Sequence, residues 1–188
     1  MRVLVMTVPE SPYLTYLRAR IPQLEVVTDT TRSCLDTFIA QLDVIGPDPA
    51  LRMQDDIILT MDFLAKATQE IHEHPTSVIQ FFSMRADDVT VGSRWDRSYM
   101  MNQCCYLPHG YAVLLAEFAP KWRAKHPEHP NADDTMLNDW LRSRKEQYWL
   151  SVPSLVQHRV AKSRLGARSS KRQSPTFADP DGSDPWLV

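Results

Sequence analysis

The stretch Leu51-Arg52-Met53-Gln54-Asp55-Asp56-Ile57-Ile58 decides how the rest of the chain is read. An apolar run stops at two adjacent carboxylates, and a second apolar run follows. Two aspartates at the end of a buried strand repel each other and lose solvation, so the pair requires compensation. A divalent cation bound to a phosphate supplies it, because carboxylate oxygens suit Mg²⁺ or Mn²⁺.

The residues before this stretch give it a position. Val3 to Val8 reads as a β-branched, apolar first strand ended by Pro9. Pro12 to Arg20 forms a short helix, Glu25 to Thr28 a second strand, and Thr30 to Leu42 a helix with Cys34, Leu35, Phe38, Ile39 and Leu42 at helical spacing. Gly46-Pro47-Asp48-Pro49 is a turn, and Ala50 to Gln54 is the third strand. The order β-α-β-α-β predicts a mostly parallel sheet covered by helices. Ligands of such sheets bind beyond the carboxyl ends of the strands, which is where Asp55 and Asp56 fall.

Further along, helices are expected over Phe63–His72, Tyr111–Arg123 and from Asp133 through Leu141. Strands are expected at Ser77–Phe82, Cys104–Leu107 and Trp149–Pro153. Asp87 to Tyr99 is poorly patterned and reads as a loop. The expected organisation is one domain over residues 1–166 and a flexible C-terminal tail over 167–188, rich in Pro, Asp and Ser towards its end.

Composition removes several function classes. Among 188 residues the formal net charge is −2, so nothing global favours nucleic acid or an anionic membrane. Only five glycines are present, with no G-x-x-x-x-G-K-[ST], G-x-G-x-x-G or G-x-S-x-G. No stretch approaches the roughly 18 apolar residues of a membrane span, and the N-terminus lacks a signal-like apolar region; a cytoplasmic protein is expected. Cys34, Cys104 and Cys105 have no metal-ligand spacing and read as reduced, buried residues.

Four groups of residues could carry chemistry. Asp56 is the candidate metal ligand, with Asp55 contacting a sugar or ribose. Asp133 and Asp134 offer a general base, and also suit the start of the helix that follows. His158 offers a third metal ligand or a diphosphate contact from late in the chain. Arg159 to Arg172 carries six cations and no acid: a basic flap over a diphosphate, with Lys162 and Arg164 the foremost contacts, a nucleic-acid contact, or a solvated tail. Trp95 reads as loop packing, with stacking on a sugar face as the alternative.

Taken in order, strand-Asp55-Asp56-Ile57, Asp133-Asp134 with Met136-Leu137 and Trp140-Leu141, and Pro153-Ser154-Leu155-Val156-Gln157-His158 resemble a small GT-A-type glycosyltransferase of the phage or bacterial accessory kind. The likeness runs over about Met1 to Leu165. Gln54 stands where the usual D-x-D triplet has its first acid, and Ser163-Arg164-Leu165 where Ser-Ser-Leu is usual. The resemblance implies a Rossmann-like α/β/α sandwich with one nucleotide-sugar site. It implies Mn²⁺ or Mg²⁺ held by Asp56 and His158, and a nucleotide contacted by Thr7, Val8 and Glu10 and by Arg32. The implied reaction moves a sugar, with a UDP-sugar the expected donor, to an acceptor hydroxyl on a glycan, protein or modified nucleic acid. Asp134, then Asp133, would be the base of an inverting displacement. The alternatives are a non-catalytic nucleotide- or nucleic-acid-binding module using the basic C-terminal segment, and a metal-dependent phosphoryl or nuclease enzyme using Asp55 and Asp56.

Overall fold

Alternation along the first strand divides the interior in two. In the computed structural model, which describes residues 1–129, 132–160 and 172–186, β1 spans Arg2–Thr7. Leu4 faces one core with Leu35, Phe38, Leu42, Leu115, Trp122 and Trp140. Val3 and Val5 face another with Leu17, Ile21, Phe63, Ala67 and Phe81. A strand buried on both faces lies between two helical layers, so the result is an α/β/α sandwich of the Rossmann-like kind.

In chain order β1 is followed by α1 (Leu14–Arg20), β2 (Glu25–Thr28), α2 (Cys34–Ile45), β3 (Ala50–Gln54), β4 (Ile57–Leu59), α3 (Phe63–Glu73) and β5 (Ile79–Gln80). Then come α4 (Asp88–Val91), β6 (Arg94–Asp96), β7 (Cys104–Leu107), α5 (Tyr111–Lys125), α6 (Asp133–Ser143), β8 (Tyr148–Leu150) and β9 (Val156–His158). The main sheet has the order β2-β1-β3-β7-β5-β8-β6. The strands β2, β1, β3, β5 and β8 run one way, while β7 and β6 oppose them. Helices α2, α5 and α6 cover one face and α1 and α3 the other.

Local chemistry sets the boundaries. Ser33 caps α2 by accepting the Asp36 amide at 3.1 Å, and Gly46, at φ +60°, turns the chain out of its far end into Pro47. Apolar residues of α2 at positions 34, 35, 38, 42 and 45 form its buried stripe.

The region from Asp87 to Tyr99, read as a loop, holds the single turn α4 and the edge strand β6. Arg94 ties the two together, donating to Asp88 Oδ1 at 2.8 Å and pairing with Asp96 at 3.4 Å. Two- and three-residue strands give too few positions for alternation to register, so β4, β6 and β9 leave no periodic trace. Among the described residues no helix is long and apolar enough to cross a membrane.

Residues 172–186, the described part of the expected tail, lie against the body. Ser174 Oγ is 2.8 Å from Ser154 Oγ, and the Asp181 amide donates to Leu59 O at 2.9 Å. Asp181 also pairs with Arg20, and Asp184 with the buried Arg159.

Candidate functional site

The second, two-stranded sheet assembles the metal-ligand candidates. β4 pairs antiparallel with β9, setting Ile57 opposite His158, and the Arg159 amide donates to Asp56 O at 2.9 Å. A histidine about a hundred residues away in sequence thereby lies beside the acid that ends the Leu51–Asp56 stretch. His158 Nε2 is 3.3 Å from Asp56 Oδ2. Asp56 Oδ1 and His158 Nδ1 are both buried and have no hydrogen-bond partner among the described residues. Buried polar atoms are normally paired, so each of these two atoms carries unmet hydrogen-bonding capacity. A carboxylate oxygen and an imidazole nitrogen suit Mn²⁺ or Mg²⁺ whose remaining positions are filled by phosphate oxygens and water.

Asp55 has other occupations. Thr7 Oγ1 donates to Asp55 Oδ2 at 2.5 Å. Burial raises its carboxyl above the ordinary range, against hydrogen bonds from Ser11, Thr7 and the Val8 backbone that hold it down. The neighbouring Asp56 charge adds to the rise. Asp55 thus pins the loop after β1, which carries Val8 and the exposed Glu10 at φ +59°.

Arg32 sits at φ +59° on the exposed turn that leaves β2. Asp29 builds that turn, its Oδ1 accepting both the Thr31 and the Arg32 amides at 2.8 Å. The Asp29 amide in turn donates to Thr7 O at 2.7 Å. Thr7, Val8, Glu10, Arg32, Asp55, Asp56 and His158 therefore gather around the carboxyl ends of β1, β2 and β3.

Asp133 and Asp134 open α6 at the same edge, in different environments. Asp133 is buried: Asn102 Nδ2 donates to its Oδ2 at 2.7 Å and Cys34 Sγ to its Oδ1 at 3.2 Å. Burial lifts its carboxyl above the ordinary value, and the Arg52 guanidinium opposes that rise. Asp134 is half-buried; its Oδ2 accepts the Met101 amide at 3.1 Å and its Oδ1 the Thr135 amide at 2.7 Å. Gln54 Nε2 reaches Cys34 Sγ at 3.7 Å. The side chain at the first position of the acidic triplet is thus turned inward, towards the thiol that holds Asp133.

Several residues of this site were not singled out from sequence. Arg52, with no exposed surface, donates to Gln41 Oε1 at 2.9 Å and Asn102 O at 2.7 Å, and lies 4.9 Å from the Phe38 ring centre. The signal was there, since an arginine in the middle of a buried strand demands partners. Ser11 and Asn102 gave none, because they act through contacts across the fold. Arg159, from the basic run, is buried against Asp184, 4.6 Å from the Tyr13 ring centre. Lys162 and Arg164 lie outside the described residues. Trp95 is exposed on β6, edge-on to Trp149 at 5.4 Å. Cys34, Cys104 and Cys105 are buried, and none of them is in a disulfide among the described residues.

No family model matches the chain, and no curated protein does either. Solved structures similar to it include the CTP:phosphocholine cytidylyltransferase LicC of Streptococcus pneumoniae, at 9% identity and TM-score 0.49, covering 85% of this chain and 94% of that one. A UDP-glucose pyrophosphorylase complexed with UDP-glucose is similar at 9% identity and TM-score 0.49, over 80% of this chain and 72% of that one. A197 from STIV is similar at 13% identity and TM-score 0.45, over 86% of this chain and 87% of that one.

Proposed function

We propose that the chain is a metal-dependent glycosyltransferase that moves a sugar from a nucleotide-sugar, a UDP-sugar foremost, to an acceptor hydroxyl. The observation that carries this reading is the Asp56–His158 pair at the carboxyl edge of the sheet, with two buried atoms that have no partner among the described residues. Asp56 and His158 would hold Mn²⁺ or Mg²⁺, which would stabilise the charge that develops on the departing diphosphate.

The chain's own residues supply the rest. The loop Thr7–Glu10, fixed by Asp55, and Arg32 on its Asp29-built turn flank the nucleotide. Asp134 takes the proton of the acceptor hydroxyl. The acceptor oxygen then bonds to the anomeric carbon as the bond from that carbon to the diphosphate oxygen breaks, and a single displacement inverts the centre. Asp134 is preferred to Asp133 because it is only half-buried, whereas Asp133 is buried. Asp133 is then a positioning residue. The burial of Arg159 against Asp184 removes one cation from the nucleic-acid-binding alternative.

The test is thermal stability with UDP, GDP, CDP and TDP sugars, each with Mn²⁺ and with EDTA. A ligand at about 100 times its dissociation constant adds about 2.7 kcal/mol. The expected result is a metal-dependent shift with one nucleotide class, lost in Asp56→Ala. A folded sample that shifts with none of them would refute the reading.

A further inference from the structure

We propose that His126, Glu128 and His129, at the far end of α5, form a second metal site, selective for a borderline divalent cation of the zinc class. It is independent of the Asp56–His158 pair and of the proposed transfer reaction. One ligand atom from each of the three side chains lies within 4.8 Å of the others. Glu128 Oε1 stands between the rings, 3.9 Å from His126 Nδ1 and 3.5 Å from His129 Nε2. Both separations exceed a normal hydrogen bond. Tetrahedral zinc, with bonds of about 2.0–2.1 Å, holds its ligand atoms about 3.4 Å apart, so the cluster closes on an ion with small side-chain adjustments.

The surroundings set the ligands in place. The His126 ring stacks on Trp122, with centres 4.6 Å apart and 28° between planes. Trp122 is itself buried and anchored, its Nε1 donating to Asp139 Oδ2 at 2.8 Å. The His129 amide donates to His126 O at 3.2 Å, closing the turn that carries Glu128, and Pro127 fixes φ inside that turn. Two imidazoles and a carboxylate are the ligand set of open zinc sites, with a further position left for water or an outside ligand.

The other triad of this kind among the described residues, Glu70, Glu73 and His74, lacks that freedom. Both Glu70 oxygens accept bonds, from Trp149 Nε1 and Ser151 Oγ, and His74 packs against Trp95 and Trp149.

The experiment titrates Zn²⁺ into full-length Asp56→Ala protein, which lacks the first site's acid, using calorimetry and competition with a chromophoric chelator. One saturable site is expected, weakened at least about tenfold by His129→Ala and by Glu128→Gln. Both residues are exposed, so these variants keep the fold. Absence of saturable binding, or equal affinity in Asp56→Ala and in Asp56→Ala with His129→Ala, would overturn the proposal.

Discussion

Replacing Arg52 by methionine tests whether the buried arginine under the site holds the acid above it. The guanidinium satisfies two buried acceptors, Gln41 Oε1 and Asn102 O. Leaving each unpaired costs about 1–3 kcal/mol, or about 2–6 kcal/mol together. Methionine fills most of the volume, which limits the cavity contribution, and losing a desolvated charge offsets part of the cost. The expected net loss is about 3 kcal/mol. The distinctive consequence lies in Asp133, whose carboxyl Arg52 holds down against its burial. Without Arg52 the charge of Asp133 loses the cation that opposes its burial, so Asp133→Asn should cost at least about 1 kcal/mol less in the Arg52→Met background than in the wild type. Urea unfolding of the four proteins at pH 7, followed by tryptophan fluorescence, measures the cycle. An Arg52→Met protein within about 1 kcal/mol of wild type, or single effects that add within about 0.5 kcal/mol, would refute the reasoning.

Other perturbations separate the remaining parts. Asp184→Ala removes the carboxylate from the buried Arg159, whose Nε has no partner among the described residues, and should cost about 3–5 kcal/mol in urea unfolding. Gln54→Asp restores the usual acidic triplet in sequence, but the structure turns that side chain towards Cys34 and Asp133. The variant should therefore lose stability through repulsion with Asp133 and gain no affinity for Mn²⁺ by calorimetry. Burial raises the Asp133 carboxyl above its ordinary 3.8, so the folded state keeps that proton to higher pH than the unfolded chain. This group's contribution to stability falls as pH rises from about 4 through the raised value and is flat beyond; a pH series of urea midpoints on Asp133→Asn should lack that slope. Asp181 behaves oppositely. The Arg20 hydrogen bond holds its carboxyl below the ordinary value, so its stabilisation is complete above about 4 and is lost as pH falls further. In the same series Asp181→Asn should lose stability at neutral pH and lack that acid-side decline.

The first half of the fold was readable because its elements are long enough to carry a period. The reading β-α-β-α-β over residues 3–54 matches β1 through β3, and the strand at Cys104–Leu107 is where it was expected. Strand direction was less accessible. β7 runs against β3 and β5, and which strands meet is set by contacts far apart in sequence, which alternation does not encode. The tail was read from composition, since Pro, Asp and Ser are poor core formers. Residues 172–186 instead attach through hydrogen bonds and ion pairs, with Asp181 on Arg20 and Asp184 on Arg159, and composition gives no sign of that kind of anchoring.

The candidate site divides the same way, and the division says what each aspartate is for. Asp55 and Asp56 were conspicuous together because adjacent acids after an apolar strand are costly, yet they do different things in the fold. Asp55 is satisfied by the loop after β1, so its cost of burial is met locally. Asp56 is left with a buried oxygen, and His158 beside it with a buried nitrogen, that no described residue satisfies. A fold that secures His158 by β4–β9 pairing, and the following Arg159 by a buried salt bridge to Asp184, spends structure on keeping that pair together. Loosening the anchor without touching the pair should therefore weaken Mn²⁺ binding. Asp184→Ala, assayed at a temperature where it remains folded, should bind Mn²⁺ more weakly than wild type although Asp56 and His158 are unchanged. Unaltered Mn²⁺ affinity in that variant would mean that the β4–β9 ribbon holds the pair by itself.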